Sequence, residues 1–259
     1  MIPLSVICFG YNLIEIRYPF EAAIESACAI ADEVLVAECY SRDDTWQTLI
    51  NLTRRYNNLR LFRHPWGTHY TIQSEICNYL AGHARTDWLM KLDLDEVIHH
   101  TSYGLFEEAL QTAEAMGATA IRPSYTHFVV DFKTTFPFVY QQARRIWRRS
   151  AGWVMVGDAC QVDNGRGPVL DAPYLQVYHY GKVQIGRAAA AAKKEIDFQA
   201  LYTDLGFPDP KIVESYQRGE VDYAYVFERA RQAGEFKPFE GEHPLAVRNW
   251  ITWMQQCDR

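Results

Sequence analysis

The sequence predicts an α/β protein: a single, mostly parallel sheet flanked by helices, followed by a mixed β and helical C-terminal part. Three observations predict it. Short apolar runs alternate with stretches of helical periodicity over residues 1–123. Two of those runs end in acids. Beyond residue 123 the alternation stops and short strand-like runs follow one another.

The elements follow in order. "LSVICF" (4–9) is β-branched and aromatic, and reads as a buried strand. In the stretch after it, Phe20, Ile24, Ala27, Cys28 and Ala31 recur at helical spacing, with Pro19 suited to a first turn. "EVLVAE" (33–38) is a second strand, and "DDTWQTLINLTRRY" a helix with Asp43 or Asp44 at its N-cap. "LRLFRH" (59–64) is a third strand. Ile72, Ile76 and Leu80 stack at intervals of four and predict a helix. "WLMKLDLD" is the fourth strand, "YGLFEEALQTAEAMG" a helix stopped by Gly117, and "ATAIRPSY" a fifth strand.

After residue 123, "THFVVDF", "FPFVYQQARRIWRRS", "GWVMVGDACQV" and "VLDAPYLQVYHY" predict antiparallel strands and loops. "GRAAAAAKKEIDFQALYTDLG", "DYAYVFERARQAG" and "HPLAVRNWITWMQQC" predict helices. The organisation expected is an α/β half at 1–123, a second half of the same domain at 124–205, and a helical extension at 206–259.

Composition bounds the function. The 259 residues are 48% hydrophobic and 22% charged, with a net charge of -6 and a pI near 5.8. These values fit a globular protein and count against bulk attraction to nucleic acid. The six cysteines form no C-x-x-C pair and no zinc spacing, so reduced thiols are expected. The N-terminus lacks a basic leader, and no segment has the roughly 20 apolar residues needed to span a bilayer. A cytoplasmic protein without an integral membrane segment is expected.

The chemistry is expected where strands end, because open α/β sheets bind ligands beyond the carboxyl ends of their strands. "DWLMKLDLDEVIHH" (87–100) places Asp93 and Asp95 two apart at such an end. In a strand they share a face, with α-carbons about 6.6 Å apart at roughly 3.3 Å per residue. Two unpaired buried carboxylates are costly, and a divalent cation removes the problem. Hard oxygen donors with open positions suit Mg²⁺ or Mn²⁺ together with a phosphate-bearing substrate. A lone D-x-D recurs by chance, but "ADEVLVAECYSRDDT" (31–45) repeats the form, with Glu38 ending the second strand.

Taken together these stretches resemble the family 2 glycosyltransferases, inverting nucleotide-sugar enzymes with an A-type, single Rossmann-like fold. The first half of that family reads as a strand followed by Asn, then "aDEivvvDsgStDgT", then a helix ending "rN.al..a.gdWil.lDaDE.l". Here Asn12, "ADEVLVAECYSRDDT" and "CNYLAGHARTDWLMKLDLDEVI" fall in that order and spacing. The likeness is good over residues 2–100, is visible in "RRIWRRSAGW" and "VYHYGKV", and fades after about 205.

The resemblance implies that Gly10, Asn12, Glu38, Asp43, Asn78 and Asp93 line the site of a nucleotide-sugar donor, a UDP-sugar first. Glu38 would hold uracil or ribose and Asp93 ribose. Asp95 would bind the Mn²⁺ or Mg²⁺ that bridges the diphosphate, with His179 a further metal or phosphate contact. There are departures. Glu38 stands where the family usually has Asp, Tyr40 where it has Gly, and Cys77 where it has Arg or Lys. Cys160 and Gln161 replace a His-Glu pair.

An inverting transfer needs a base near the acceptor hydroxyl, and Asp158 is the candidate, with Glu96 and Asp163 in reserve. A turn role after Gly157 is the alternative reading of Asp158. Arg144 and Arg148 share one face of their strand and Arg145 and Arg149 the other. Either face could meet a phosphate, or all four could be a solvated charged strand. The loop "KPFEGEHP" (237–244) could cover an acceptor or merely start a helix. The expected acceptor is a glycan or lipid-linked sugar. A hydroxylated DNA base, cradled by arginines and aromatics, is the alternative. A non-catalytic sugar-nucleotide-binding module and a nucleotidyltransferase are the rival readings. "CFGYNLIEIR" lacks the Gly-rich basic loop of the latter.

Overall fold

The structure is a computed structural model that describes residues 2–67, 69, 71–136, 142–183 and 236–257. Its centre is four parallel strands in the order β3–β2–β1–β4: β1 (Leu4–Gly10), β2 (Glu33–Glu38), β3 (Leu59–Arg63) and β4 (Trp88–Lys91). β1 and β2 are buried along their whole length, as strands covered on both faces must be. Alternation divides their side chains. Val6 and Cys8 face Phe20 and Ile24 of α2 (Phe20–Cys28), Leu49 of α3 (Thr45–Thr53) and Phe106 of α5 (Leu105–Met116). Ile7 and Phe9 face Ile76 and Leu80 of α4 (Ile72–His83). A one-turn helix, α1 (Leu13–Ile16), follows β1. The expected strands and helices of the first half are therefore present, and α5 ends at Gly117 in the left-handed region, φ 67°.

Three expectations are corrected. The fourth strand stops at Lys91, so Asp93 and Asp95 lie in the turn leading to β5 (Glu96–Ile98) rather than on a strand face. "ATAIRPSY" and "THFVVDF" belong to one strand, β6 (Ala120–Val130), which runs through Pro123 and is separated from β4 by β8 (Ile146–Arg148). β8 is antiparallel to both neighbours. The last long strand, β11 (Val169–Val183), runs parallel to β6 instead of antiparallel, and antiparallel to β5. Its break in register between Ala172 and Gln176 lies beside Pro123, which has no N–H to donate to a ladder.

Two smaller pairs follow, one at the edge of the sheet and one a separate two-stranded sheet. β7 (Thr134–Thr135) pairs β12 (Lys237–Pro238), and β9 (Val154–Met155) forms a hairpin with β10 (Val162–Asp163). The C-terminal helix α6 (Arg248–Cys257) sends Met254 into a cluster with Val97, Phe128, Phe132 and Tyr180. The loop before it is packed. His243 accepts from the Tyr180 hydroxyl at Nδ1 (2.8 Å) and donates from Nε2 to the Phe132 carbonyl (2.8 Å). That tautomer is required because the carbonyl only accepts. Pro244 leads a 3₁₀ turn at Leu245–Val247. The helices expected over 186–206 and 222–234 lie outside the described residues. No helix among the described residues is long and apolar enough to cross a membrane.

Candidate functional site

The carboxyl ends of β1, β2 and β4 meet at one edge, since Gly10 registers with Glu38 and Ile7 with Lys91. Here Gly10 is a steric need, for a Cβ would come within 2.6 Å of the Leu13 side chain. Asn12 adopts a left-handed backbone, φ 51°. Its Oδ1 accepts from the Arg42 N–H (2.8 Å) and its own N–H donates to Ser41 Oγ (2.8 Å), tying the end of β1 to the acidic turn. Asp43 accepts from the Thr45 N–H (3.0 Å) and the Glu15 N–H (2.8 Å), so it fixes the turn into α3, whose N-cap is Asp44, and anchors α1.

Glu38 is fully buried. One oxygen accepts from the Ser41 N–H, and the other is 3.1 Å from Arg63 Nε. The Arg63 guanidinium lies over Tyr40 (4.8 Å) and Trp46 (4.2 Å). Glu38 thus braces the wall of a cleft from behind. That cleft has a volume of 380 Å³ and is lined by Tyr11, Cys39, Tyr40, Arg42, Pro65 and Trp66. The Tyr11 and Trp66 rings stack at 6.0 Å. Tyr40, where a Gly was expected from the resemblance, keeps the left-handed φ (57°) that usually selects glycine.

The turn after β4 divides its acids. Asp93 is ion-paired with Lys91, and its Oδ2 is 3.1 Å from Arg145 Nη1. Both cationic side chains are only 2% exposed. Burial alone would raise the Asp93 pKa, but Lys91 and Arg145 prevail and hold it well below the usual carboxylate range. Arg145 also approaches Glu96 at 3.6 Å. Glu96 is buried, and desolvation pushes its pKa up.

Asp95 has a different setting. Its Oδ2 is 3.3 Å from His179 Nε2, and its Oδ1 is buried with no hydrogen-bond partner among the described residues. His179 Nδ1 meets Nδ1 of His127 at 3.0 Å. Gly181 makes the pair possible, for a Cβ there would lie 2.2 Å from Asp95 Oδ2 and 2.8 Å from His179 Nε2. Two groups, the Asp95 carboxylate with its unpartnered Oδ1 and the His179 imidazole, fit a hard divalent cation whose other positions would be filled by water and phosphate oxygens. Among the described residues no group of three or more His, Cys, Asp and Glu side chains forms a metal cage. Such a cation would depend on its ligand for the remaining donors.

Asn78 serves the far wall. Its amide donates to the Met155 carbonyl (2.9 Å) and accepts from the Met155 N–H (3.0 Å), fastening β9 to α4. The loop between β9 and β10 then carries Asp158, whose Oδ1 accepts from the Cys160 N–H (3.0 Å), a turn bond. Burial raises the Cys160 thiol pKa, and the charges of Arg145, Asp158, Lys91 and Asp93 also act on it, which sets this loop beside the β4–β5 turn.

Of the four arginines, Arg145 alone enters the site. Arg144 donates to the Val162 carbonyl, Arg148 pairs with Asp87 and Glu114, and Arg149 donates to the last carbonyls of α4. Lys91 and His127 were not foreseen. Lys91 is one polar residue in an apolar run, and His127 gains meaning only from its register with His179 across β6 and β11.

The parallel β3–β2–β1–β4 core with antiparallel β8 beside it is a Rossmann-like α/β fold. Among solved structures the chain is similar to TarS of S. aureus. TarS 1–349 in complex with UDP matches at a TM-score of 0.50 and 12% identity, over 99% of this chain and 88% of that one. A longer TarS structure matches at 0.50 and 13%, over 77% of this chain and 40% of that one. In two other TarS 1–349 structures the chain spans 60% and 58% of the length. No protein-family model and no curated protein matches the sequence.

Proposed function

We propose that the chain is a metal-dependent glycosyltransferase that moves a sugar from a nucleoside diphosphate sugar, a UDP-sugar first, to a hydroxyl acceptor with inversion. The observation that carries this reading is the Asp95–His179 pair, with one carboxylate oxygen buried and without a hydrogen-bond partner among the described residues, at the sheet edge that also holds the 380 Å³ cleft. The fold shared with TarS, solved in complex with UDP, supports a nucleotide-sugar donor.

Asp95 and His179 would hold Mn²⁺ or Mg²⁺, which would offset the negative charge of the leaving diphosphate. Asp93, kept ionised by Lys91 and Arg145 and still 25% exposed, accepts hydrogen bonds from the donor ribose. Tyr11, Tyr40 and Trp66 flank the base. Gly10, Asn12, Glu38 and Asp43 act indirectly, by fixing the backbone that shapes the cleft, and Asn78 fixes the loop of Asp158. Asp158 takes the acceptor proton through the oxygen not bonded to Cys160. A glycan or lipid-linked sugar is the first acceptor class, and a hydroxylated DNA base the second. The turn bond of Asp158 favours one other reading, a sugar-nucleotide-binding module without catalysis.

Thermal-shift screening of UDP-, GDP- and dTDP-sugars with and without Mn²⁺ tests the donor. A ligand at 100 times its Kd raises stability by about 2.7 kcal/mol. A UDP-sugar should stabilise the chain only when Mn²⁺ is present; no shift with any nucleotide contradicts the proposal. Release of free sugar from the donor, slowed at least ~100-fold in Asp158→Asn, separates enzyme from binding module. A mass-spectrometric screen of oligosaccharides, lipid-linked sugars and hydroxymethylated DNA then names the acceptor.

A further inference from the structure

The contact between His127 and His179 is not explained by packing alone. Two imidazole Nδ1 atoms 3.0 Å apart need one proton between them, one ring donating and the other accepting. The opposite edge of His179 faces the carboxylate of Asp95 at 3.3 Å. A histidine ring turned over by 180° would present carbon atoms at both places, so the bond to His127 fixes which edge reaches Asp95. His127 is itself held. It is 2% exposed, stacks at 6.0 Å on Tyr125, and its carbonyl accepts from the Phe136 N–H (2.9 Å).

We propose that His127 is a positioning residue for the cation site: it accepts the Nδ1–H of His179 and so presents the Nε2 lone pair of His179 beside Asp95. This inference rests on the cation reading above and adds a residue that does not itself touch the cation. The chemistry is that of a metal-bound imidazole whose other nitrogen is hydrogen-bonded, which fixes ring orientation and tautomer. The elements suit the task. β6 and β11 are adjacent parallel strands with His127 and His179 in register, so the acceptor is set by the sheet and not by a loop. Gly181, two residues further along β11, leaves the space in which the other edge of the ring meets Asp95.

The test is Mn²⁺ binding to the whole chain in the presence of UDP, read from the electron paramagnetic resonance of free Mn²⁺. His127→Phe keeps the ring and its stacking but removes the acceptor; it should weaken Mn²⁺ binding by about 10- to 100-fold. His127→Asn places an amide oxygen near the position of Nδ1 and should stay within about threefold of the wild type. Equal affinity in the wild type and His127→Phe overturns the inference while leaving the cation site standing. No Mn²⁺ uptake by the wild-type chain overturns both. If His127→Phe does not fold, the wild-type chain loaded with Co²⁺ decides. The hydrogen-bonded Nδ1–H of His179 should give an exchangeable, hyperfine-shifted proton resonance that is absent in His179→Ala, and its absence from the wild type contradicts the proposal.

Discussion

Asp93 and Asp95 stand two residues apart in one turn and have opposite surroundings. Asp93 lies between two buried cations, Lys91 and Arg145, and belongs to the charge network that joins β4 to β8. Asp95 meets one histidine and keeps a buried oxygen without a partner among the described residues. Glu38, at the end of β2, is closer to the first kind: one oxygen accepts from the Ser41 N–H, and the other, though without a hydrogen bond among the described residues, is ion-paired with Arg63 at 3.1 Å. An acid at this edge is therefore either taken up by buried cations or left with an oxygen that no charged partner among the described residues meets, and its neighbours decide which.

The comparison breaks most visibly if Arg145 is replaced. Arg145→Met removes one of the two cations paired with Asp93 and the guanidinium beside Glu96, and removing one partner of a buried ion pair costs about 3–5 kcal/mol. Urea unfolding should show a loss of that size; a loss under about 1 kcal/mol would place Asp93 outside the frame. Asp95→Ala should behave in the opposite way. Stability of the cation-free chain should change by no more than about 1 kcal/mol, while the Mn²⁺-dependent stabilisation by a UDP-sugar disappears.

Gly181→Ala sharpens the same point from the backbone side. The atoms its Cβ would meet are the ends of the Asp95 and His179 side chains, which can turn away. The chain should fold with a loss of about 1 kcal/mol and lose most of its Mn²⁺ affinity by calorimetry. Retained affinity would mean that the pair is not the cation site.

The smallest effect is a pH slope. Burial would lower the His179 pKa, but Asp95 prevails and holds it above its ordinary value. A raised folded-state pKa contributes stability that is complete below the unfolded value of about 6.5 and is lost as pH rises through the folded value. The Tm of the cation-free chain should fall across that window, and the His179-dependent part of the slope should be missing from Asp95→Ala.

The first half was legible because its signals are local. β1, β2, α4 and α5 each carry their own periodicity, and the acids at the ends of β2 and β4 mark the edge where the cleft lies. The resemblance implied Asp95 as a metal ligand and His179 as a further metal or phosphate contact, and the two side chains lie 3.3 Å apart. What was not legible depends on distant partners. β8 is three residues long and gains its place only between β4 and β6. Pro123 reads as a strand breaker, yet β6 continues through it because β11 shifts register there. The leucines alternate with acids in "LDLD" as a strand would, but the strand ends at Lys91, the chain turns between Asp93 and Glu96, and Asp93 goes to Arg145, 52 positions away.

The most direct measurement is calorimetric titration of the whole chain with UDP, with and without Mn²⁺, in the wild type and in Asp95→Ala. The account predicts binding to the wild type that strengthens at least tenfold, about 1.4 kcal/mol, when Mn²⁺ is added, and no such gain in Asp95→Ala. Equal affinity with and without Mn²⁺, or an undiminished gain in Asp95→Ala, would contradict it.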